Sequence, residues 1–186
     1  MFPPSARLCV FCGSQSGLGP EYVEAARQFG RALVARRIEL VYGAGSVGLM
    51  GVLAETVLAG GGRAVGVIPK FLATSELMHP GLSETHVVDT MHTRKALMAE
   101  LSDAFVALPG GCGTLEEVLE AISWAQLRVH DKPVGLLDVQ GFFAPLMAQL
   151  GHCEEAGFLP ADVRRRLVVD RDPERLVETL LARLAR

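Results

Sequence analysis

The 186-residue sequence lacks the features that several large classes of protein require. It has no excess of positive charge: 18 Lys and Arg face 21 Asp and Glu, and the formal net charge of −3 argues against a nucleic-acid binder. The one dense basic run, residues 164–166, is interpreted as a solvated helix face. No apolar run is long enough to span a membrane, and no basic region precedes the first apolar stretch. We therefore expect a cytoplasmic protein with no membrane or nucleic-acid partner.

Metal and disulfide patterns are also missing. Cys9 and Cys12 form a C-x-x-C, but they fall in an apolar strand candidate, where positions three apart face opposite sides and lie roughly 10 Å apart. Cys112, Cys153 and the five histidines show no zinc-type spacing. We interpret Cys9 and Cys12 as core thiols and predict no metal and no cofactor.

Two familiar nucleotide signatures are incomplete. Residues 43–48 read G-A-G-S-V-G after a strand candidate, which is formally the dinucleotide pattern G-x-G-x-x-G. The next strand, however, runs into Pro69 and Lys70, where the fingerprint expects an acid for the ribose hydroxyls. No G-K-[ST] follows either glycine loop. Neither a nicotinamide cofactor nor a Walker-type nucleotide triphosphatase is favoured.

The sequence does have apolar content sufficient for a sizeable core, since 49% of its residues are hydrophobic. No linker, repeat or low-complexity tract divides it, so we predict one domain over residues 1–186. Short apolar runs alternate with helical patterns, which predicts a doubly wound, Rossmann-like parallel α/β sheet with helices on both faces. The strand candidates are 8–12, 39–42, 65–68, 86–88, 104–108, 133–137 and 167–169, and the helix candidates are 20–33, 48–58, 91–101, 115–127, 142–151 and a segment after 173.

The stretch L-P-G-G-C-G-T-L-E-E, residues 108–117, joins a strand candidate to a helix through three glycines. Glycines and a helix start both present backbone N–H groups to an anion, so the stretch predicts a phosphate site. Thr114 can add a hydroxyl, and Glu117 lies one turn further on. A carboxylate there suggests chemistry, but Thr114 to Glu117 also reads as a capping box, and the spacing leaves both interpretations open.

Right-handed crossovers place the loops after the strands at 8–12, 39–42 and 104–108 on one edge of the sheet. Ser14, residues 43–46 and residues 110–117 should therefore converge where ligands bind in open α/β sheets. Arg94 and Lys95 are adjacent cations near the start of a helix, where the helix dipole disfavours them. That position slightly favours a functional role for the pair.

Four motifs together resemble the LONELY GUY family of cytokinin-activating phosphoribohydrolases. They are V-F-C-G-S at 10–14, V-Y-G-A-G-S-V-G-L-M-G at 41–51, M-H-T-R-K at 91–95 and P-G-G-C-G-T-L-E-E at 109–117. Their order and spacing also match, and the similarity runs from about Leu8 to the last helix. Two residues depart from the pattern: Ala44 replaces a glycine that the family often has, and Cys112 replaces a common aromatic.

The resemblance implies hydrolysis of the N-glycosidic bond of a purine nucleoside 5′-monophosphate, AMP or an N6-prenylated relative, to free base and ribose 5-phosphate. It implies Arg94 and Glu117 as the catalytic pair. Glu117 would stabilise positive charge on the ribose or activate water, and Arg94 would stabilise the leaving base or fix the phosphate. The expected substrate-binding residues are Ser14, Gly43, Gly45, Ser46, Glu76, Met91, Lys95, Gly110, Gly111, Cys112, Gly113, Thr114, Leu115 and Glu116.

The resemblance also implies a homodimer, and the central helix has more apolar residues than one sheet-facing stripe needs. Two other functions are weighed. A binding module without turnover would hold a nucleotide or other phosphorylated ligand, with Glu117 as a capping residue. A lysine decarboxylase, the label that family members often carry, would need a Schiff-base lysine from Lys70, Lys95 or Lys132. Neither the preferred base nor a need for prenylation follows from the motifs.

Overall fold

The structure is a computed structural model that describes residues 6–74 and 77–185. Its centre is a seven-stranded sheet in the order β4-β3-β2-β1-β5-β6-β7, in which every pairing is parallel. This confirms the predicted doubly wound α/β fold. The elements in chain order are β1 Arg7–Phe11, α1 Pro20–Ala35, β2 Glu39–Tyr42, α2 Gly48–Ala59, β3 Ala64–Pro69, β4 Glu84–Val88, α3 Met91–Glu100, β5 Ala104–Ala107, α4 Cys112–Gln126, β6 Val134–Leu137, α5 Ala144–Glu155, α6 Ala161–Arg166, β7 Leu167–Asp170 and α7 Pro173–Leu184.

The sheet is covered on both faces, which explains why its central strands read as continuous apolar runs rather than alternating ones. On one face, Leu8 and Val10 of β1 belong to a buried cluster with residues of α1, α2 and α7. On the other face, Phe11 belongs to a cluster with residues of α3, α4, α5 and α6. Cys9 and Cys12 are both buried, fall in opposite clusters and form no disulfide, which confirms that they are core thiols.

One short helix, α6, was not among the predicted elements. Its six residues lie directly between Pro160 and β7, and such a length is too short for a helical hydrophobic period to show. The basic run at 164–166 forms its last turn, and the side chains of Arg164 and Arg166 are 42% and 57% exposed. The run is therefore a solvated helix face, as predicted.

Within residues 6–74 and 77–185, no group of three or more His, Cys, Asp or Glu side chains is arranged to hold a metal ion. None of the helices in these two ranges combines the length and the apolar character needed to cross a bilayer.

Candidate active site

The sheet's topological switch point lies between β1 and β5, because the helices that follow these two strands cover opposite faces. The loops at their carboxyl ends are joined directly: Gly13 N–H donates to the Pro109 carbonyl at 3.1 Å. Ser14 and Gly110 line a cavity of about 290 Å³ at this point, together with the rings of Tyr22 and Phe142. The loops after β1 and β5 therefore converge, as predicted.

The central loop presents an open helix start. Gly111 is the N-cap of α4, and in the described part of the chain no side chain caps it. A Cβ built on Gly111 or Gly113 would meet no described atom within 4 Å, so this side of the loop is open to a ligand. Behind it, a Cβ on Gly110 would lie 2.1 Å from the Thr114 hydroxyl oxygen, so only glycine fits there. The uncapped N–H groups of Cys112 and its neighbours form a site suited to a phosphate.

The capping-box interpretation of Glu117 is wrong. The structure begins α4 at Cys112, so Thr114 is its third residue and Glu117 its sixth. A capping box needs the glutamate at the third position, within reach of the N-cap N–H. The helix begins earlier than predicted because Gly111 itself takes the extended N-cap conformation. Thr114 is buried, with 3% of its surface exposed.

The glycine loop after β2, residues 43–48, has a different role from the central glycine loop at the start of α4. Two N–H groups in the first turn of α2, those of Leu49 and Met50, both donate to the Gly13 carbonyl, at 3.0 and 3.3 Å. Gly48 has φ +62°, and a Cβ there would lie 2.3 Å from the backbone of Ser14. The start of α2 therefore fixes the loops to one another, whereas the start of α4 is open. Ser46, a predicted substrate ligand, directs both its N–H and its hydroxyl to the Leu77 carbonyl, at 2.9 and 3.2 Å.

Arg94 is held in place from several sides. The start of its helix, α3, is capped reciprocally by Thr90 and Thr93, which places Arg94 in the first turn. Its Nε donates to the Val67 carbonyl at 3.2 Å. Its Nη1 lies 3.7 Å from the thioether sulfur of Met91, the residue that begins the M-x-x-R-K motif.

The glycine loop after β2 makes room for this guanidinium. A Cβ on Gly43 would stand 1.9 Å from Nη2 of Arg94. The same Nη2 lies 3.6 Å from Oε1 of Glu117, and both side chains are 11% exposed. Gly43, Arg94 and Glu117 thus come together although they belong to three different segments of the sequence.

Glu117 is a buried carboxyl group with an unusual affinity for its proton. Burial raises its pKa from the ordinary 4.5 to about 7, against the opposing charge of Arg94 and with a further contribution from the nearby Glu116. Glu117 shares a cavity of only about 10 Å³ with the rings of Phe11 and Phe105, which accounts for its poor hydration. A carboxyl group with this pKa exchanges its proton near neutral pH, as general acid–base chemistry requires.

Lys95, the neighbour of Arg94, contacts carboxylates. Its ammonium group donates to Glu116 in a short contact and to Oε1 of Glu120 at 3.1 Å, and its side chain is 10% exposed. Partial burial alone would lower the pKa of Lys95, but the bonds to Glu116 and Glu120 outweigh it and raise the pKa. Glu120 is not among the predicted site residues. Its spacing of four from Glu116 on one helix face is a signal that could have found it.

The remaining predicted ligands differ in their exposure. Cys112 and Ser14 are exposed, Leu115 is half-buried, and Glu76 lies outside the described residues. Gly45 is part of the second loop, where its carbonyl accepts a hydrogen bond from the Tyr42 hydroxyl at 3.2 Å. Tyr42 supports that loop from the core and was not predicted to do so.

The fold and the site define a class. A doubly wound parallel sheet carries, at its switch point, an open glycine loop at a helix start and a buried carboxyl group beside a guanidinium. This is a Rossmann-like protein with an open helix start of the kind that suits a phosphorylated ligand. Comparison with known proteins narrows the class to a family.

A family model described as "Possible lysine decarboxylase" matches residues 50–180. The chain is 54% identical over 162 residues to a probable cytokinin riboside 5′-monophosphate phosphoribohydrolase of Oryza sativa subsp. japonica, covering 87% of this chain and 73% of that protein. It is 51% identical over 174 residues to a cytokinin riboside 5′-monophosphate phosphoribohydrolase of Arabidopsis thaliana, covering 94% and 80%. The chain belongs to this family, the LONELY GUY family, as its motifs predicted.

Two solved structures have the same architecture. One is the molybdenum cofactor binding protein of Rippkaea orientalis, with a TM-score of 0.72 at 20% identity over 97% of this chain and 98% of that one. The other is the molybdenum cofactor carrier protein of Chlamydomonas reinhardtii, with a TM-score of 0.72 at 23% identity over 96% and 99%. At these identities the likeness shows the shared fold.

The description "lysine decarboxylase" does not fit the lysines of this chain. A Schiff-base lysine must present a neutral amine in a cofactor site. Lys70 pairs with Asp89 at 2.6 Å, and that hydrogen bond raises its pKa. Lys95 pairs with two carboxylates, and Lys132 donates to the Ala99 carbonyl at 2.6 Å. The chain has no further lysine.

Proposed function

We propose that this protein hydrolyses the N-glycosidic bond of purine nucleoside 5′-monophosphates, releasing the free base and ribose 5-phosphate. The observation that carries the proposal is the buried Glu117, 3.6 Å from Arg94, on the helix whose uncapped start forms the open glycine loop. The relatives named cytokinin riboside 5′-monophosphate phosphoribohydrolases, at about half identity over most of the chain, support the same reaction.

In the proposed reaction, the backbone N–H groups at the start of α4 hold the 5′-phosphate. That remote contact positions the ribose for reaction. As the bond from the ribose C1′ to the base nitrogen breaks, positive charge develops on the sugar ring. The water oxygen then bonds to C1′ and one of its two protons passes to Glu117, while the electron pair of the broken bond leaves with the base, whose nitrogen takes up a proton to give the free base.

The pKa of Glu117 near 7 suits both parts of this role. The ionised carboxylate stabilises the cationic sugar and accepts a proton from water. The protonated carboxyl group can then give a proton to the departing base. Arg94 is the ion-pair partner of Glu117, and we assign it to the negative charge that develops on the leaving base or resides on the phosphate. Removal of the guanidinium should therefore lower turnover.

The alternative, a binding module without turnover, loses its main support. It relied on Glu117 as a capping residue, and α4 begins too early for that. The burial of an acid at a switch point costs stability, and such groups are concentrated at catalytic sites. We therefore favour the enzyme.

The test is to incubate the purified protein with AMP, N6-prenyl-AMP, other nucleoside 5′-monophosphates and adenosine, and to measure free base by chromatography. We expect base release from at least one purine monophosphate and a much slower reaction with the matching nucleoside. Equal rates for AMP and adenosine would contradict the role of the phosphate site. Release from none of the nucleotides would favour the binding module.

We further propose that the protein is a homodimer that packs on α4 and the segment after it. Leu119 on α4 is 40% exposed, and Leu127 and Val129 just beyond are 69% and 66% exposed. Such apolar surface at the end of one helix suits a partner copy. Light scattering should give twice the 19.9 kDa chain mass, and Leu127→Glu should lower it. The control Leu18→Glu changes a more exposed leucine elsewhere, and a monomeric parent protein would remove the proposal.

A cytoplasmic location is part of the same proposal. The four cysteines are free, and Cys112 is exposed on the open loop. An exposed thiol persists in a reducing compartment, where disulfides are rare.

A further inference from the structure

We propose that the cavity between the end of α4, α6, the end of α7 and the starts of β6 and β7 is a second ligand site, which binds a small aromatic carboxylate. The inference goes beyond the proposed function and uses none of the residues assigned to it. The volume of the cavity is about 160 Å³. An apolar cavity of roughly 150 Å³ has room for one six-membered ring.

The cavity lies at the opposite edge of the sheet from the glycine loops. Val134 and Leu167, which begin β6 and β7, line it, so it lies at the amino ends of these strands. Ala125 and Gln126 of its wall are in the last turn of α4, whereas the open glycine loop is at the start of that helix. The 15 residues of α4 extend about 22 Å. A single-ring ligand in the cavity is therefore too small to contact the phosphate site.

Most of the cavity wall is apolar. Four side chains that line it each expose less than a tenth of their surface: Ile122, Val134, Val163 and Leu167. Gln126 and Asp131, which also line it, are exposed, so the cavity reaches solvent. Buried aliphatic side chains bind a ring by removing its apolar surface from water.

Two cations that line the cavity keep hydrogen-bond donors for a ligand. Lys132 donates to the Ala99 carbonyl at 2.6 Å, and Arg183 donates through Nη1 to the Arg166 carbonyl. Among the residues that the structure describes, neither cation forms an ion pair with a carboxylate. An ammonium group has three N–H donors and a guanidinium group has five. Both side chains can therefore donate to an anion without giving up their present contacts.

The other charges at the cavity favour a ligand with a single negative charge. Arg166 lines the cavity, but its guanidinium pairs with Asp162. Asp131 opposes the two cations without an ion-pair partner. His130 is neutral at pH 7, because burial lowers its pKa below the ordinary 6.5. Two such cations and one opposing carboxylate leave one positive charge, which a monoanion balances.

The experiment uses benzoate, which has one ring and one carboxylate, and benzamide, its uncharged counterpart. Amide NMR spectra of the parent protein, titrated with each compound, report both the affinity and the location of binding. We expect a Kd for benzoate of roughly 0.1 to 10 mM. Shifts should occur at residues 125–132 and 163–167 and be absent at 110–117. Benzamide and acetate should each bind at least about fivefold more weakly, because benzamide lacks the charge and acetate lacks the ring.

Single substitutions test the charge separately from the cavity. Arg183→Met and Lys132→Met should each weaken benzoate binding about fivefold or more and leave benzamide binding within about twofold. Asp131→Asn should strengthen benzoate binding about twofold or more, because the opposing carboxylate is removed. Ala125→Leu should weaken the binding of both compounds by filling the cavity. Arg31→Met, which removes a cation of α1 that is 56% exposed, is the matched control and should change neither affinity.

Several results would overturn the inference. They are equal affinities of the parent protein for benzoate and benzamide, shifts confined to residues 110–117, and no shift up to roughly 50 mM benzoate. Binding only in the Leu127→Glu variant would also overturn it, because a partner copy would then cover the cavity. If Lys132→Met fails to fold, unchanged benzoate affinity in Arg183→Met is sufficient to overturn it. Since the readout is binding alone, failure of nucleotide hydrolysis would contradict the proposed function and leave this result unchanged.

Discussion

Replacement of Glu117 by Gln should change how the protein's stability depends on pH. Glu117 is buried against Arg94, and its pKa of about 7 in the folded protein exceeds the ordinary 4.5 of an unfolded chain. Between these two values the folded protein binds more protons than the unfolded chain, so stability falls as pH rises. The contribution of Glu117 is therefore fully favourable below about pH 4.5 and is lost as pH rises through 7.

The pKa difference sets the size of the effect. It corresponds to about 3 kcal/mol of unfolding free energy lost between pH 4.5 and pH 8, to order of magnitude. Gln at position 117 cannot ionise, so the Glu117→Gln variant does not lose this unfolding free energy as the pH rises. Relative to the parent protein, the variant should gain about 3 kcal/mol on going from pH 4.5 to pH 8. Its stability at any single pH also contains the changed contact with Arg94, so the difference between the two pH values is the quantity to compare.

The assay is urea unfolding of the parent and Glu117→Gln at several pH values, followed by circular dichroism. A matched control is Glu55→Gln, which changes an exposed glutamate on α2. Because a carboxylate in water has similar surroundings in both states, the control should show no such step. Parallel stability curves for the parent and Glu117→Gln would refute the conclusion that Glu117 is buried with a raised pKa.

Two further predictions concern the loop after β2. Gly43→Ala places a Cβ 1.9 Å from Nη2 of Arg94, so the guanidinium must move away from Glu117. Turnover of AMP should fall on the order of 100-fold with little change in melting temperature, because the displaced group is the end of a flexible side chain. Gly81→Ala, whose nearest contact would be an ordinary 3.5 Å, is the control, and full activity in Gly43→Ala would contradict the placement of Arg94. Ala44 is buried with φ +62°, a conformation that costs a non-glycine residue about 1 kcal/mol or more. Ala44→Gly relieves that strain, but it also removes a buried methyl group and raises the conformational entropy of the unfolded chain. Its unfolding free energy should therefore stay within about 1 kcal/mol of the parent, whereas Ala44→Val should lose about 2 kcal/mol or more. Equal stability of the Val variant in urea would contradict this.

The sheet could be predicted because its central strands are buried on both faces. Runs such as 104–108 and 39–42 are continuous and apolar, and glycine or helical patterns bound them. The right-handed crossover rule then places the loops after β1, β2 and β5 at one edge, where Gly13 meets Pro109. Pattern and handedness together therefore suffice for the fold and for the position of the site.

The details of the site could not be predicted because they depend on contacts between distant segments. Nothing local in the sequence shows that the Gly13 carbonyl satisfies the start of α2, or that α4 begins at Cys112. The capping box at Thr114 was a reasonable local pattern, but the glycine loop supplied an earlier N-cap. Likewise, the pairing of Lys95 with Glu120 depends on how α3 packs beside α4.

The central claim is that the negative charge of Glu117 is needed to break the N-glycosidic bond. The most direct measurement is the rate of adenine release from AMP by Glu117→Gln at pH 8, beside the parent protein under the same conditions. Gln keeps the size and hydrogen-bonding capacity of the side chain but cannot take a proton or balance a cationic sugar. We predict a loss of about 100-fold or more in a protein that remains folded. Adenine release at the parent rate by folded Glu117→Gln would contradict the account.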